Sequence, residues 1–293
     1  MKICIFGQKL NPEDQIHIKS FLTQMRDHRI EYYIYETFYS LLGNDIRKQI
    51  DDRLWSSYED LENIKPQFVI SFGGDGTILS TTGLIRDLGI PVLGINMGRL
   101  GFLAGIDKKL INDAVYQLVN GMFSIEDRSM LKLDSNPALF GEAPLALNDF
   151  TVLKRDNSSM ITIRTFVNGE FLNSYWADGL IVSTPTGSTG YSLSCGGPIV
   201  FPDSNNFIIT PVAPHNLNVR PVVLPDHYVL SFEIEGRADS FLCTMDSRFE
   251  VITSDYQLAV RKCDYSFKLV HLLPSSFLKT IHEKLNWGLD QRN

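Results

Sequence analysis

The sequence predicts two domains of different class: an α/β domain with a parallel sheet, then an all-β, sandwich-like domain. The first observation is an alternation of short apolar strands with helical segments over residues 2–121. The second is a change of pattern after residue 122, where runs rich in Val, Ile, Thr, Phe and Tyr are separated by turn residues. We therefore expect the α/β domain to span residues 1–125 and the all-β domain residues 126–274.

The first half supplies four strands and the helices between them. We predict strands over residues 2–6, 31–35, 68–72 and 91–95. Asn11 and Pro12, followed by two acids, predict the start of a helix that continues to about residue 29. Residues 39–63 are helical in tendency, with an interruption near Gly43, and Asp107 is expected to cap a helix that ends near residue 121.

The second half consists mainly of short strand-like runs. They lie at residues 150–153, 161–167, 180–183, 207–210, 228–234 and 267–272. Asn168-Gly169 is a hairpin-turn signal between two such segments. Helical periodicity returns only over residues 275–288, and this last helix is a candidate to pack back on the first domain.

Composition limits the classes of function. The chain has 293 residues, of which 44% are hydrophobic and 21% charged, as in ordinary globular proteins. Its net charge of −7 argues against a non-specific nucleic-acid partner. An anionic substrate must therefore be held by local groups, such as backbone N–H groups, a few Arg or Lys side chains, or a bound cation.

The cysteines and the hydropathy pattern indicate the compartment. Cys4, Cys195, Cys243 and Cys263 are far apart and form no C-x-x-C motif, so neither a disulfide framework nor a zinc site is expected. We assign no metal-ligating residue. The sequence shows no signal-peptide pattern and no apolar run long enough to span a membrane. We expect a cytoplasmic protein without a membrane partner.

A glycine-rich loop follows the third predicted strand. Residues 73–77 read Gly-Gly-Asp-Gly-Thr, and apolar helical positions resume at once. Such a loop lets backbone N–H groups approach a phosphate closely, because no Cβ intervenes. Asp75 is the only acid in the loop, which suggests that its carboxylate accepts a proton or organises a cation. The alternative is a Gly-Asp-Gly turn that merely closes a βα unit.

Two better-known phosphate motifs are excluded. No Lys follows the glycines, so the loop is not a P-loop, and Leu79 occupies the third glycine position of the dinucleotide fingerprint. Asn96 opens a second glycine-containing loop, residues 96–103, after the fourth strand. Since ligands bind at the carboxyl ends of parallel strands, both loops should open on the same rim of the sheet. A plain connector remains the alternative for the second loop.

The second half contains further polar constellations. Asn148-Asp149 stands in an apolar context, where a simple turn before a strand is the alternative. Asp178-Gly179 precedes a strand, and residues 184–194 (Thr-Pro-Thr-Gly-Ser-Thr-Gly-Tyr-Ser-Leu-Ser) follow it. Small hydroxyl residues between glycines offer hydrogen bonds to a sugar or phosphate without blocking its approach, and Tyr191 can stack on a base. The alternative is a Ser/Thr turn cluster.

These motifs, in this order, resemble the bacterial NAD kinases. The Gly-Gly-Asp-Gly-Thr loop alone is shared with diacylglycerol kinases and distant phosphofructokinase relatives, but the run at residues 184–189 is not shared with diacylglycerol kinases. The resemblance extends over about residues 66–270 and includes Pro214-His215 and Arg220-Pro221. It implies an open, Rossmann-like α/β domain and transfer of the ATP γ-phosphoryl group to the 2′-hydroxyl of the adenosine ribose of NAD, giving NADP.

The resemblance also implies roles for individual residues. Asp75 matches the proton acceptor of the family. The residues that match substrate- or cofactor-binding positions are Gly74, Gly76, Thr77, Asn96, Asn148, Asp149, Asp178, Thr186, Thr189, Gly190, Tyr191, Ser192, Leu193, Ser194 and Arg248. Mg²⁺ or another divalent cation is expected with ATP, and family members are typically homo-oligomers, dimers or tetramers.

Some positions depart from the family pattern. Trp176 stands where many relatives have a basic residue, Gly190 where most have Ala, and relatives vary at Arg248. These differences concern selectivity, such as NAD against NADH, rather than the reaction class. Two other functions stay open from the residues alone: a lipid kinase of the diacylglycerol type, against which stands the lack of a membrane-binding helix, and a non-catalytic dinucleotide sensor.

Overall fold

The computed structural model describes residues 1–51, 53–155, 159–274 and 276–287. These residues fall into two compact units. The first comprises the described residues of Met1–Asp127 and Lys268–Asn293, and the second is Arg128–Phe267. The chain thus leaves the first unit after residue 127 and returns to it near residue 268.

The first unit is built on one sheet with flanking helices. Its strands are β1 (Lys2–Gly7), β2 (Glu31–Tyr35), β3 (Leu54–Trp55), β4 (Phe68–Gly73), β5 (Val92–Asn96), β6 (Ile106–Asp107), β7 (Phe123–Arg128) and, late in the chain, β20 (Phe267–Leu272). Its helices are α1 (Gln15–Asp27), α2 (Glu36–Leu41), α3 (Asn44–Arg47), α4 (Tyr58–Ile64), α5 (Asp75–Ile85), α6 (Ile111–Val119) and α8 (Phe277–Leu285).

The strand order confirms the predicted α/β class. The sheet runs β3-β2-β1-β4-β5-β20-β7, with β6 beside β5, and the pairs from β3 through β5 to β20 are parallel. Strands β1, β4 and β5 are buried at nearly every position, as expected for parallel strands covered on both faces. Phe72 of β4 packs against Phe21 and Phe38, with ring centroids 5.0 and 6.0 Å apart.

Several predicted elements differ in detail. The region 39–63 is not one interrupted helix: it contains the short strand β3 between α3 and α4. A 3₁₀ turn at Pro12–Asp14 precedes α1, and another at Lys108–Leu110 precedes α6. Helix α8 covers Phe277–Leu285; of the predicted range 275–288, residues 275 and 288 lie outside the described residues.

One assignment to the all-β domain is wrong. Residues 267–272, predicted as its last strand, form β20, which pairs in parallel with β5 through Leu269 and Val92. Residues 268–274 therefore belong to the first unit rather than the second. A short apolar run has the same appearance whichever sheet it enters, so local pattern could not assign its partner.

The second unit is an antiparallel sandwich, as predicted. Its strands are β8 (Leu131–Asn136), β9 (Leu145–Ala146), β10 (Asp149–Lys154), β11 (Ile161–Val167), β12 (Glu170–Ala177), β13 (Gly179–Ser183), β14 (Asn206–Val212), β15 (Val222–Pro225), β16 (Leu230–Glu235), β17 (Phe241–Met245), β18 (Arg248–Ile252) and β19 (Gln257–Lys262). One sheet has the order β15-β14-β13-β10-β17-β18 and the other β12-β11-β16-β19-β8-β9.

The two sheets of this unit share one apolar core. Phe150 of β10 stacks on Phe232 of β16 at 5.4 Å between ring centroids, which joins one sheet to the other. The hairpin at Asn168-Gly169 is confirmed: both residues have positive φ, 49° and 83°, and the turn joins β11 to β12. The sequence did not predict the short helix α7 (Tyr191–Ser194) or the 3₁₀ turn Thr186–Thr189 before it.

Among the described residues, no helix is both long enough and apolar enough to cross a bilayer.

Candidate functional site

The glycine-rich loop joins β4 to α5 in the first unit. Gly74 is the N-cap residue of α5, and Asp75 is the first residue of the helix. A Cβ at Gly73 would overlap the side chain of Thr77, so this position requires glycine. Apart from the adjacent residues and the backbone of the helix itself, no heavy atom of the described residues lies within 4 Å of a Cβ built at Gly74 or Gly76. The backbone of these two glycines is therefore open to a ligand at the helix N-terminus, where N–H groups lack intrahelical partners.

The Asp75 carboxylate accepts three consecutive backbone N–H groups. Oδ2 accepts from Phe102 at 2.7 Å, and Oδ1 accepts from Leu103 at 3.0 Å and Ala104 at 2.9 Å. The two predicted loops therefore meet, as expected for loops on the same rim of a parallel sheet. The contact has an unforeseen form, because the carboxylate binds the second loop itself. One lone pair of Oδ2 stays available for a further donor.

Two residues of the second loop make this contact possible. A Cβ at Gly101 would overlap the Asp75 carboxylate, so only glycine allows the approach. Asn96, only 2% exposed, accepts the Gly98 N–H at 2.7 Å and donates to the carbonyls of Arg99 and Ala104. The Asn96 side chain, predicted to bind a cofactor, thus shapes the loop that holds Asp75.

In the second unit, the pair Asn148-Asp149 packs against the start of the hydroxyl-rich run. Thr184 donates its N–H to Asn148 O at 2.9 Å and its hydroxyl to Leu147 O at 2.6 Å. A Cβ at Gly187 would overlap Asn148 O, so this glycine permits a close backbone approach. The structure therefore brings together two motifs that lie about 40 residues apart in the sequence.

Most hydroxyls of the run bind neighbouring groups of the protein. Ser188 donates to Pro185 O at 2.6 Å, and Thr189 donates to Thr186 O at 3.1 Å. Ser192 is buried and shares a 2.8 Å hydrogen bond with Thr210. These hydroxyls fix the conformation of the segment. The expectation that the run presents free hydroxyl donors is therefore wrong for Ser188 and Thr189, whose hydroxyls donate to backbone carbonyls.

The outer face of this segment is formed by other groups. Tyr191 is 40% exposed, Ser194 is exposed, and Leu193 is half-buried. A Cβ at Gly190 would lie 3.6 Å from Asn148 Nδ2 and 3.3 Å from Gly187 O. The absence of a side chain at Gly190 thus leaves space directly beside the Asn148 amide.

Asp178 and Arg248 are engaged with their own neighbours. Asp178 forms a 2.7 Å ion pair with Lys154. Arg248 donates to Ala143 O at 2.7 Å and to Leu145 O. Sequence reasoning had assigned both side chains to a bound cofactor, and it had given no role to Lys154.

The Asp149 carboxyl has a perturbed pKa. It is 7% exposed, and burial, together with the negative charge of Asp246, raises its pKa from 3.8 to about 7. Burial also raises the pKa of Asp246, but its three backbone N–H donors and the charge of Arg248 oppose that shift. Of the two carboxyls, Asp246 has more groups that favour its charged form.

Two further residues of this unit contact the candidate segment, and the sequence assigns neither of them a role. Asp246 accepts the N–H groups of residues 147–149, and Arg128, 4% exposed, donates to the Thr186 hydroxyl at 3.3 Å. An Asp in a turn and a charged residue at a strand end are common features, so neither indicates a function. The alternating charges of Asp246, Arg248 and Glu250 are the one feature of the sequence that points to Asp246.

Metal-ligating clusters were also sought. Within the described ranges, no group of three or more His, Cys, Asp or Glu side chains is arranged to hold a metal ion.

Comparison with known proteins was made for the whole chain. The ATP-NAD kinase N-terminal domain family matches residues 15–123, and the ATP-NAD kinase C-terminal domain family matches residues 147–272. The NAD kinase of Cytophaga hutchinsonii is 46% identical over the full length of both chains. The NAD kinase of Flavobacterium johnsoniae is 43% identical, again over the full length of both.

Solved structures share the fold. Yeast NADH kinase in complex with NADH gives a TM-score of 0.86 at 22% identity and covers 100% of this chain and 89% of its own. An NAD kinase from Archaeoglobus fulgidus in complex with ATP gives a TM-score of 0.76 at 24% identity and covers 98% and 99%.

The contact between Gly101 and Asp75 predicts a large difference between two glycines of one loop. Gly101→Ala should lower the free energy of unfolding by about 1–3 kcal/mol, because the new methyl group overlaps the carboxylate. Gly98→Ala is the matched control, since no heavy atom lies within 4 Å of its Cβ. Urea unfolding measures both. Equal effects of the two substitutions would contradict the contact.

The pKa of Asp149 predicts a pH dependence of stability. Because its pKa is raised on folding, the folded state binds this proton more tightly, and stability falls as pH rises from about 4 to about 7. Asp149→Asn removes this loss, so the variant should gain stability relative to the wild type between pH 5 and pH 8. Urea unfolding at both pH values tests this, with the exposed Asp255→Asn as control. A constant difference between variant and wild type would refute the prediction.

Proposed function

The chain belongs to the ATP-NAD kinase family, and from this we propose that it transfers the γ-phosphoryl group of ATP to the 2′-hydroxyl of the adenosine ribose of NAD, which gives NADP. Family matches to both parts of the chain and relatives identical at up to 46% over the full length support this function. The observation in the structure that supports it best is the Asp75 carboxylate, fixed at the N-terminus of α5 between two open glycines.

Asp75 is suited to act on the acceptor hydroxyl. Phosphoryl transfer depends mainly on positioning and charge neutralisation, and a secondary hydroxyl is a weak nucleophile. The remaining lone pair on Asp75 Oδ2 can accept a hydrogen bond from that hydroxyl, orient it and take its proton late in the reaction. The loop N–H groups at Phe102, Leu103 and Ala104 keep the carboxylate in place while it does so.

The phosphates are assigned to the glycine loop. The open backbone of Gly74 and Gly76 and the first N–H groups of α5 form an anion site, next to the hydroxyl of Thr77. We propose that Mg²⁺ enters with ATP as part of the substrate, since Mg²⁺ commonly takes its ligands from phosphates, water and only one or two carboxylates.

NAD recognition is assigned mainly to the second unit. The half-buried Asn148 and the buried Asp149 offer polar groups, and Tyr191 offers an exposed ring for stacking on a base. Thr186 and residues 189–194 are assigned to the same substrate, beside the Asn148 amide that the missing side chain of Gly190 leaves open. We propose that Asp178, which is paired with Lys154, lies near the nicotinamide end of NAD. A direct contact between Arg248 and the substrate stays a prediction.

Oligomeric state and compartment are also part of the proposal. Edge strand β18 exposes Phe249 (68%) and Val251 (43%), and edge strand β12 exposes Phe171 (56%) and Trp176 (50%). Large exposed apolar side chains on sheet edges favour self-association, as dimer or tetramer. The four cysteines are free thiols, which suits the reducing cytoplasm.

The first experiment is a coupled assay. The purified protein is incubated with NAD, ATP and Mg²⁺, and NADP is followed through an NADP-specific dehydrogenase. Product formation supports the proposal. Binding of NAD without product would favour a dinucleotide sensor, and neither binding nor product would direct attention to lipid substrates.

Asp75→Asn should fold but lose most of its turnover, by about 10²-fold or more, because an amide cannot accept the proton. Asn can keep an oxygen at the Oδ1 position, where Leu103 and Ala104 donate, so only the Phe102 N–H loses its acceptor. The same coupled assay measures kcat and KM. The control is Asp113→Asn, an exposed acid on α6. Near-full turnover of Asp75→Asn would exclude Asp75 as the base.

A further inference from the structure

One face of strand β18 and its preceding turn carries charges of alternating sign. Asp246, Arg248 and Glu250 lie two residues apart, so their side chains share one face, while Ser247, Phe249 and Val251 point to the other and are exposed. The three charged residues are half-buried. This set is called the charged face of β18 below.

Each member of the charged face binds the backbone of residues 140–149. Glu250 accepts the Phe140 N–H, and Arg248 donates to the carbonyls of Ala143 and Leu145. Asp246 accepts three successive N–H groups, from residue 147 at 2.9 Å, 148 at 2.8 Å and 149 at 3.0 Å. The two acids thus accept backbone N–H groups, and the arginine donates to backbone carbonyls. At each of these contacts the charge of the side chain is opposite in sign to the partial charge of the backbone group.

The geometry of Asp246 is specific to this task. Its φ of 53° lies in the left-handed region, which Asp and Asn tolerate better than most residues. Its own N–H donates to Asp149 O at 2.9 Å, so the residue binds the segment through both backbone and carboxylate. Four hydrogen bonds therefore connect this single residue to positions 147–149.

We propose that the charged face of β18, above all Asp246, is a positioning device that fixes Asn148 and Asp149 for NAD binding. Asp246 and Arg248 act through the backbone of the segment. This inference rests on the proposed function. The Arg248 guanidinium is bound to two carbonyls and lies 5.5 Å from the centre of the Phe140 ring, which agrees with a supporting role.

The order of the contacts sets the order of the effects. Asp246 binds residues 148 and 149 themselves, Arg248 binds residues 143 and 145, and Glu250 binds residue 140. Loss of a group should therefore disturb NAD binding most at Asp246, less at Arg248 and least at Glu250. A role in general stability alone would not produce this order in the KM for NAD.

The test compares Asp246→Gly, Asp246→Asn, Arg248→Lys and Glu250→Gln with Ser247→Ala, an exposed control in the same turn. Gly avoids backbone strain at positive φ, and Asn retains one oxygen acceptor. We expect Asp246→Gly to raise the KM for NAD by about tenfold or more, since charge-assisted hydrogen bonds are lost, with a smaller rise for Asp246→Asn. The KM for ATP should change by less than about twofold in all variants, because ATP is assigned to the first unit.

Two outcomes would overturn the inference. One is an unchanged KM for NAD in Asp246→Gly, and the other is an equal rise for NAD and ATP. Amide hydrogen exchange of residues 147–149 provides a readout that needs no activity: Asp246→Gly should lose protection there, and retained protection would refute the positioning role. A wild-type protein that makes no NADP would instead refute the proposed function, so the two failures are distinguishable.

Discussion

A carboxylate that accepts three successive backbone N–H groups is the interaction on which the candidate residues of each unit depend. It occurs at Asp75, which binds residues 102–104, and at Asp246, which binds residues 147–149. In both places the ionised group gives a loop one defined conformation, because charge-assisted hydrogen bonds are stronger than those between neutral groups. A loop fixed in this way can present a polar side chain or a glycine backbone without rearrangement when a ligand binds.

The two carboxylates differ in what they leave free. Asp75 lies beside open glycine backbone and keeps a lone pair for a further donor, so it is suited to a direct part in phosphoryl transfer. Asp246 binds the backbone N–H groups of residues 147–149, and its negative charge contributes to the raised pKa of Asp149. We therefore propose that the same kind of contact holds the reacting group in one unit and supports a binding group in the other.

The fold was largely predictable from local pattern, and the exceptions have a common cause. The βα alternation, the strand-rich second half and the Asn168-Gly169 hairpin all follow from periodicity and turn chemistry. The sheet to which residues 267–272 belong could not be predicted from local pattern, since the sequence of a buried strand does not indicate which distant strand it pairs with. Strand β3 could not be predicted either, because a strand of two residues is too short to show an alternation of apolar and polar side chains.

The fold class, the two glycine-rich stretches and the family follow from the sequence alone, since these depend on residue types at fixed spacings. The partners of the polar side chains are visible only in the three-dimensional structure. Asn96, Ser188 and Ser192, which the sequence offers as ligand groups, hydrogen-bond to the protein in the structure, because a buried polar atom must find a partner near it. In the sequence Asp246 has the appearance of an ordinary turn residue, yet its carboxylate binds residues 147–149, about a hundred positions away. Such pairings are long-range, and local spacing does not record them.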